Sequence, residues 1–326
     1  MRYSASEKLE IIRLVEQSFL PVRRTLEQIA VSKSTFYAWY DRYRDGGFDA
    51  LEDRSPCPKR SWNRIPDETR EKIVKFALDE PELSPREIAF GFTDKEKSFV
   101  SEASVYRILK ARGLITSPAF IVMKAADKFA NPTTAINQLW QTDFTYLKVA
   151  SWGWYFLSTV LDDFSRYIVA WKLCSGMAAS DVTATLDLAL QRSGLDKLDI
   201  KRRPRLLSDN GPSYISSDLK DWLNDHDMKH TRGRPYHPMT QGKIERWHQS
   251  LKNRILLEHY YLPGDLERAV ADFVDYYNHH RYHESLDNLT PADVYYGRGQ
   301  NILLARERIK RKTIEQRRRN HFKLAA

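Results

Sequence analysis

The segment WQTDFTYLKV (140–149) opens a run of three aromatic and β-branched stretches. The others are WYFLSTVLD (154–162), reached through Ser151-Trp152-Gly153, and YIVAWKLC (167–174). Such residues suit a pleated, half-buried surface, and the short polar joints suit turns, so the run predicts a three-stranded antiparallel meander. A helix is predicted over 179–193, with Val182, Leu186, Leu188 and Leu190 apolar. A short strand at 204–208, a helix at 216–226, a short strand at 228–232, and long helices at 241–258 and 265–281 follow. This alternation predicts an α/β core, the meander plus two further strands with helices on both faces.

Upstream the period becomes helical. Ser4 and Glu7 have capping-box spacing, and Leu9, Ile12 and Val15 recur behind them. Pro21 suits the first turn of a second short helix, and Ser32 caps a third that carries Phe36, Trp39 and Tyr40 and stops at Gly46-Gly47. The turn between them holds Ala30 where glycine is common. A second set begins near Asp67, restarts at Ser84-Pro85-Arg86-Glu87 and again at Ser101-Glu102, and ends at Gly113. Two trihelical units in tandem read as helix-turn-helix domains whose last helices enter the major groove of DNA. Lys33, Ser34, Thr35 and Tyr37 are then the contact candidates of the first, and Ser104, Arg107 and Lys110 those of the second. The plain alternative is a helical bundle with a polar face.

The predicted domains are 1–50 and 67–115 for the helical units, 51–66 for a linker, 116–137 for a connector, 138–297 for the core and 298–326 for a tail. Pro56, Pro58 and Pro66 deny the linker a helix, and its Arg54, Lys59, Arg60 and Arg64 fit a strand laid along DNA or, equally, a solvated spacer. The 326-residue chain carries a net charge of +9, split as +3 over 1–137, −2 over 138–297 and +8 over 298–326. A basic end on a near-neutral core suits a polyanion, most simply nucleic acid; a solubilising tail is the alternative. The tail's Ile302, Leu303, Leu304, Ile309 and Ile314 fit a helix on DNA or on a partner subunit, against a disordered segment as the alternative.

No window approaches the ~18 apolar residues of a membrane span. The charged stretch Met1–Glu16 lacks a signal-peptide centre, which points to a cytoplasmic protein. Two cysteines build neither a disulfide framework nor a Cys-rich zinc site, and all nine histidines fall at or after His226.

Three acids stand out by position. Asp143 lies in the first strand, Asp209 ends the fourth before Asn210-Gly211-Pro212, and Glu245 lies in the first turn of the long helix. The intervals hold 65 and 35 residues. Carboxylate oxygens suit hard Mg²⁺, and two such ions about 4 Å apart can serve an in-line phosphoryl displacement. Glu245, Gln249 and Lys252 share a helix face, flanked by Lys243 and Arg246, as a DNA backbone crossing the helix would require. Gly242 is a candidate hinge before them, and Tyr236, His237 and Pro238 precede them in a predicted loop.

WQTDFTY, LLSDNGPSY and GKIERWHQSLKNRI resemble the three catalytic blocks of the DDE transposase and retroviral-integrase superfamily. The 35-residue interval is similar to that group's, and YYNHHRYHESLDNLTPADVY (276–295) resembles the closing helix of bacterial transposases of the "insertion sequence three" type. The resemblance implies an RNase H-like core in which Asp143, Asp209 and Glu245 are catalytic and bind two Mg²⁺ ions, with Mn²⁺ as a substitute. It implies that Lys252 touches DNA and that Asn210 shapes its turn. It implies hydrolysis at transposon ends, then attack of the freed 3′-hydroxyl on target DNA, by a homo-oligomer of at least two chains on double-stranded DNA in the bacterial nucleoid. Many relatives encode the DNA-binding and catalytic parts in two reading frames, whereas here one chain carries them. The competing readings are a DNA-binding regulator with an inactive core and an RNase H-like nuclease that only hydrolyses.

Other polar clusters have plainer readings. Asp162-Asp163 before Phe164-Ser165-Arg166 reads as a turn. His237 is a DNA or metal-shell contact or, equally, a loop residue packed on Tyr236. His279, His280 and His283 lack a carboxylate or Cys at ligand spacing, which favours a structural or DNA-facing role. Trp140, Trp152, Trp154 and Trp171 read as core and sheet packing rather than a base-stacking surface.

Overall fold

A computed structural model describes residues 3–52, 62–115, 133–197, 203–233 and 241–323. Arg54, Lys59, Arg60, Tyr236, His237, Pro238 and most of the 116–137 connector lie outside the described residues. The chain divides into two compact units, Met1–Arg64 with His321–Ala326, and Ile65–Asn320.

In the first unit α1 (Ala5–Gln17) opens with the Ser4/Glu7 capping box. Next comes α2 (Val22–Gln28), with Pro21 at its N-cap, one residue ahead of the expected first turn. The third helix, α3 (Lys33–Gly46), is capped by Ser32, whose hydroxyl accepts from the Thr35 N–H. Ile12, Leu26, Val31, Phe36, Trp39 and Leu51 close the core. Ala30 takes the left-handed turn conformation, φ 54°, at the place where glycine would carry no Cβ penalty.

The second unit begins with the bundle α4 (Asp67–Asp79), α5 (Pro85–Glu96) and α6 (Glu102–Ala111), packed around Ile73, Ile88, Phe92, Val105 and Leu109. The capping box of Ser84 and Glu87 and the Ser101 cap form as the sequence predicts.

The meander follows as β1 (Leu139–Val149), β2 (Gly153–Asp162) and β3 (Ile168–Cys174), antiparallel throughout. The strands β4 (Arg205–Ser208) and β5 (His230–Arg232) run parallel to β1, giving the order β3-β2-β1-β4-β5. One face packs on α7 (Ala179–Ser193), α8 (Pro212–Ile215) and α9 (Ser217–Asp225) through Trp140, Val160, Val182, Leu186, Leu206 and Leu219. The other packs on α10 (Gly242–Ile255) and α11 (Pro263–His279) through Leu147, Leu157, Leu161, Trp247, Leu251 and Val270. This is the RNase H-like layout. Because side chains alternate along a strand, Trp140 and Phe144 face α7 while Gln141, Asp143 and Leu147 face α10.

Two expectations change. Trp140 is fully buried, but Trp152 and Trp154 are 59% and 54% exposed, because the core on the α7 face ends before the hairpin tip. The basic tail is one helix, α13 (Gly299–Lys323), that follows α12 (Pro291–Tyr295) and lies on the α4–α6 bundle. Two of its cations serve that packing. Buried Arg306 donates to both carboxylate oxygens of Asp94, at 2.9 and 2.6 Å, and to the Asn288 carbonyl. Arg317 donates to the Phe99 carbonyl, while the Phe99 N–H donates to the Thr313 hydroxyl.

The histidines of the 276–295 block do not form a ligand set. His283 packs half-buried against the Tyr277 ring, and its partial burial with neighbouring Arg281, Arg166 and Arg246 holds its pKa down to about 3. Among the described residues no helix is long and apolar enough to cross a membrane.

Asn278 fastens α11 to β3. Its side-chain oxygen accepts the Ile168 N–H at 2.9 Å and its amide donates to the Ile168 carbonyl at 3.1 Å, all in the buried interior. Asn278→Ala leaves two buried backbone groups unpaired, and urea denaturation should show a loss of roughly 2–3 kcal/mol.

Candidate active site

The register of β1 on β4 sets the site. Leu139 pairs with Arg205 and Gln141 with Leu207, so two residues further Asp143 stands level with Asp209. Neighbouring strands lie about 4.8 Å apart, which makes these two acids adjacent. Just past the end of β4, Asp209 begins a tight turn in which its carboxylate accepts the Gly211 N–H at 2.9 Å. A Cβ at Gly211 would come within 3.1 Å of that carboxylate, so the turn favours glycine. Asn210 ties the turn to the end of β5 by donating to the Gly233 carbonyl at 2.8 Å.

Glu245 enters from the first turn of α10, as the sequence predicts. Two buried glutamines hold that helix on the sheet. The Gln241 amide donates to the carbonyls of Thr142 on β1 and Leu207 on β4, at 3.4 and 3.3 Å. The Gln141 side-chain Oε1 accepts the Ile244 N–H at 3.1 Å, and its Nε2 donates to Asp163 at 2.7 Å. Asp163 also accepts from the Thr133 hydroxyl and from the Lys243 ammonium, at 2.6 and 2.8 Å. Gly242 is therefore the first residue of an anchored helix rather than a loose hinge.

One turn beyond Glu245, buried His248 places Nδ1 3.4 Å from the Asp143 carboxylate. Its Nε2 is buried with no hydrogen-bond partner among the described residues. Sequence reading missed His248, Gln141 and Gln241. The signal was available in part: His248 lies three residues after Glu245 on the sheet-facing stripe, and Gln141 shares the strand face of Asp143.

The electrostatics tie the acids together. Burial, and then the charge of Asp143, push the Asp209 carboxyl above its ordinary value. Burial and the same Asp143 charge raise Glu245, with His248 opposing. Asp143 thus acts on both partners. Among the described residues no three His, Cys, Asp or Glu side chains stand close enough to grip one ion. The donor chemistry nonetheless fits a hard divalent cation, since Mg²⁺ keeps several waters and takes one or two carboxylates. Asp143 and Asp209, level on neighbouring strands, offer two such carboxylates.

The predicted nucleic-acid contacts are spread more widely. Arg246 and Gln249 are exposed on α10, and the Lys252 ammonium lies 4.0 Å from the Tyr146 ring centroid. Lys243 was expected to face DNA, but its ammonium is held by the Asp163 carboxylate and carbonyl. Asp162 fills the turn role, accepting the Ser165 and Asn137 N–H groups. On α3, Lys33, Ser34 and Tyr37 are exposed, and the half-buried Thr35 shares its hydroxyl with the Ser32 cap. On α6, Arg107 and Lys110 are exposed, and Ser104 sits beside the Ser101 cap. Arg64 is exposed in the first unit.

Comparison with known proteins agrees with this architecture. Residues 133–238 and 226–291 match integrase core domain models. Residues 7–60 match a helix-turn-helix domain, and residues 35–109 a homeodomain-like domain. The chain is 28% identical over 160 residues to the transposase InsF for insertion sequence IS3A of Escherichia coli K12, covering 48% of this chain and 52% of InsF. It is 37% identical over 121 residues to the Gag-Pro-Pol polyprotein of simian retrovirus SRV-2, covering 36% of this chain and 6% of the polyprotein. Among solved structures, the HTLV-2 integrase catalytic core domain in complex with magnesium aligns with 49% of this chain and 97% of its own, at 21% identity and a TM-score of 0.40. The chain spans about half the length of the bacterial transposase it matches. The core is an integrase core domain, homologous to those of the "insertion sequence three" transposases and retroviral integrases, and helix-turn-helix domains precede it.

The crowding of like charges has a measurable cost. A carboxyl with a raised pKa stabilises the fold fully below the unfolded carboxylate range and loses that contribution as pH rises through the raised value. Without divalent cation, Asp209→Asn should raise the thermal midpoint at neutral pH, and the gain should vanish as the buffer is taken into the acid range. Added Mg²⁺ should raise the wild-type midpoint and move the variant less.

Proposed function

We propose that this chain is a DNA transposase that binds the ends of its own element and carries out divalent-metal-dependent strand cleavage and strand transfer. What supports the reading is that Asp143 and Asp209 come from neighbouring strands and Glu245 from the helix clamped beside them, with the charge of Asp143 felt at both other acids. The likeness to a transposase over the core supports it.

In this reading Asp143, Asp209 and Glu245 hold a pair of Mg²⁺ ions, with Mn²⁺ able to replace them. Bound there, the ions would activate the attacking oxygen and stabilise the leaving one in an in-line displacement. The chain's own contribution is placement. The Gln141 and Gln241 bonds fix Glu245 relative to the two aspartates, and the Asp209–Gly211 bond fixes the second carboxylate. Arg246, Gln249 and Lys252 present polar and cationic groups along α10 for the DNA backbone. Helix α3 offers Lys33, Ser34, Thr35 and Tyr37, and α6 offers Ser104, Arg107 and Lys110, for reading the ends in the major groove. Arg60 and Arg64 lie in the segment joining the two helical units and neutralise phosphate. Lys243 serves chiefly to hold α10. The protein works in the bacterial cytoplasm on double-stranded transposon ends and target DNA, as a homo-oligomer of at least two chains.

Asp143→Asn, Asp209→Asn and Glu245→Gln should each abolish cleavage and strand transfer, a loss of at least about a thousandfold for charge stabilisation of this kind. Binding to end DNA should persist in a gel-shift assay. Strand transfer at the wild-type rate in any of the three would overturn the assignment of the acids. Cleavage without joining of two DNA molecules would mark a hydrolytic nuclease instead, and end binding without any nicking a regulator.

A further inference from the structure

The free end of the β1–β2 hairpin carries an aromatic and cationic surface that the catalytic reading does not use. Tyr146, Trp152 and Trp154 are 57%, 59% and 54% exposed, although side chains with this much apolar ring surface are on average well buried. Tyr146 and Trp154 meet edge to face, with centroids 5.4 Å apart. The Lys252 ammonium lies 4.0 Å from the Tyr146 centroid, and the Lys148 ammonium 5.8 Å from that of Trp154. Strand register places Lys148 opposite Trp154 and Tyr146 opposite Phe156, and puts Lys172 opposite Ser158 on the same face. Among the described residues none of Lys148, Lys172 and Lys252 has an ion-pair partner.

The patch lies on the sheet face opposite Asp143, and Lys252 links the two past the edge of β1, since it stands on the helix of Glu245 and its ammonium meets the Tyr146 ring. Tyr146 lies three residues beyond Asp143 on one strand, about 10 Å at the usual strand rise. Lys252 lies two helical turns beyond Glu245, again about 10 Å. Because β4 pairs only with residues 139–141, it leaves the flank of β1 between the acids and this patch uncovered by a described strand.

Resting on the reading of the chain as a DNA-acting enzyme, we propose that Tyr146, Trp152 and Trp154, with Lys148 and Lys252, form a stacking platform for unpaired bases of a DNA strand whose backbone runs to the catalytic acids. The chemistry selects the occupant. Bases inside a duplex already stack on one another, whereas an unpaired base has a free π face that an exposed indole or phenol ring can cover. Lysines unpaired with protein carboxylates complement phosphate, and they disfavour a second protein's basic surface. The platform thus holds a separated strand next to the site and keeps it from re-pairing.

The test uses the full chain and a short oligothymidine carrying a single 2-aminopurine, whose fluorescence falls when it stacks. Trp154→Ala should weaken oligothymidine affinity about tenfold and remove the quench. Trp154→Phe should restore most of both, and affinity for a blunt element-end duplex should change less than about twofold in either variant. Unchanged affinity and quench in Trp154→Ala would overturn the proposal, as would an equal loss on duplex. A shift of oligomeric state in Trp154→Ala with the quench intact would assign the patch to a second copy of the chain instead. The probe contains no element-end sequence. Loss of end recognition or of strand transfer with the platform signal retained therefore counts against the proposed function and not against the platform.

Discussion

The amide groups of Gln141 and Gln241 sit where an α-helix begins against the open ends of two strands, in a region without water-exposed partners. An unpaired amide in that position costs more than the bond it makes returns, so the arrangement holds only when the helix start and the strand carbonyls are all in register. Gln241 spans β1 and β4, and Gln141 returns a bond to the backbone of α10. Everything that makes the cleft specific hangs from this junction. It sets where Glu245 points, and it brings His248 against Asp143 one turn later. Asp163 and Lys243 brace it from the turn after β2. A set of acids drawn from residues 143, 209 and 245 gains its geometry from neutral side chains and one ion pair.

Much of this was legible in the sequence. The aromatic and β-branched runs gave the strands, and the serine caps fell where the helices begin, because cap chemistry is local. The three acids were recognisable by their spacing, one within the first strand, one just past the fourth and one in the first turn of a long helix. The rest depended on partners that spacing does not encode. Lys243 reads as a free cation on a helix flank until the turn after β2 delivers Asp163 to it. Trp152 and Trp154 read as core until the reach of the α7-side packing is known. The basic tail gave no sign that Arg306 and Arg317 would be buried, since their partners Asp94 and Phe99 lie some two hundred residues upstream.

The α4–α6 bundle and the five-stranded sheet share a unit, and the bonds between them show how. Tyr282, just past α11, donates to Asp94 on α5, and Arg86 on α5 pairs with Glu284. Arg254 near the end of α10 pairs with Glu82. Exposed pairs of this kind are worth little singly, but the buried Arg306–Asp94 fork among them is bidentate and charge-assisted, and its guanidinium lies over the Phe90 and Tyr282 rings. The cationic tail is therefore first a structural strut.

That strut makes the second helical bundle and the cleft a single measuring device. If α6 grips a groove of the element's end, the span from that groove to the phosphodiester beside Asp143 is set by folded protein rather than by a tether. Such a caliper would fix the cut at a constant number of base pairs from the recognised sequence, and the position of the break would be inherited from protein geometry rather than read from the bases at the break itself.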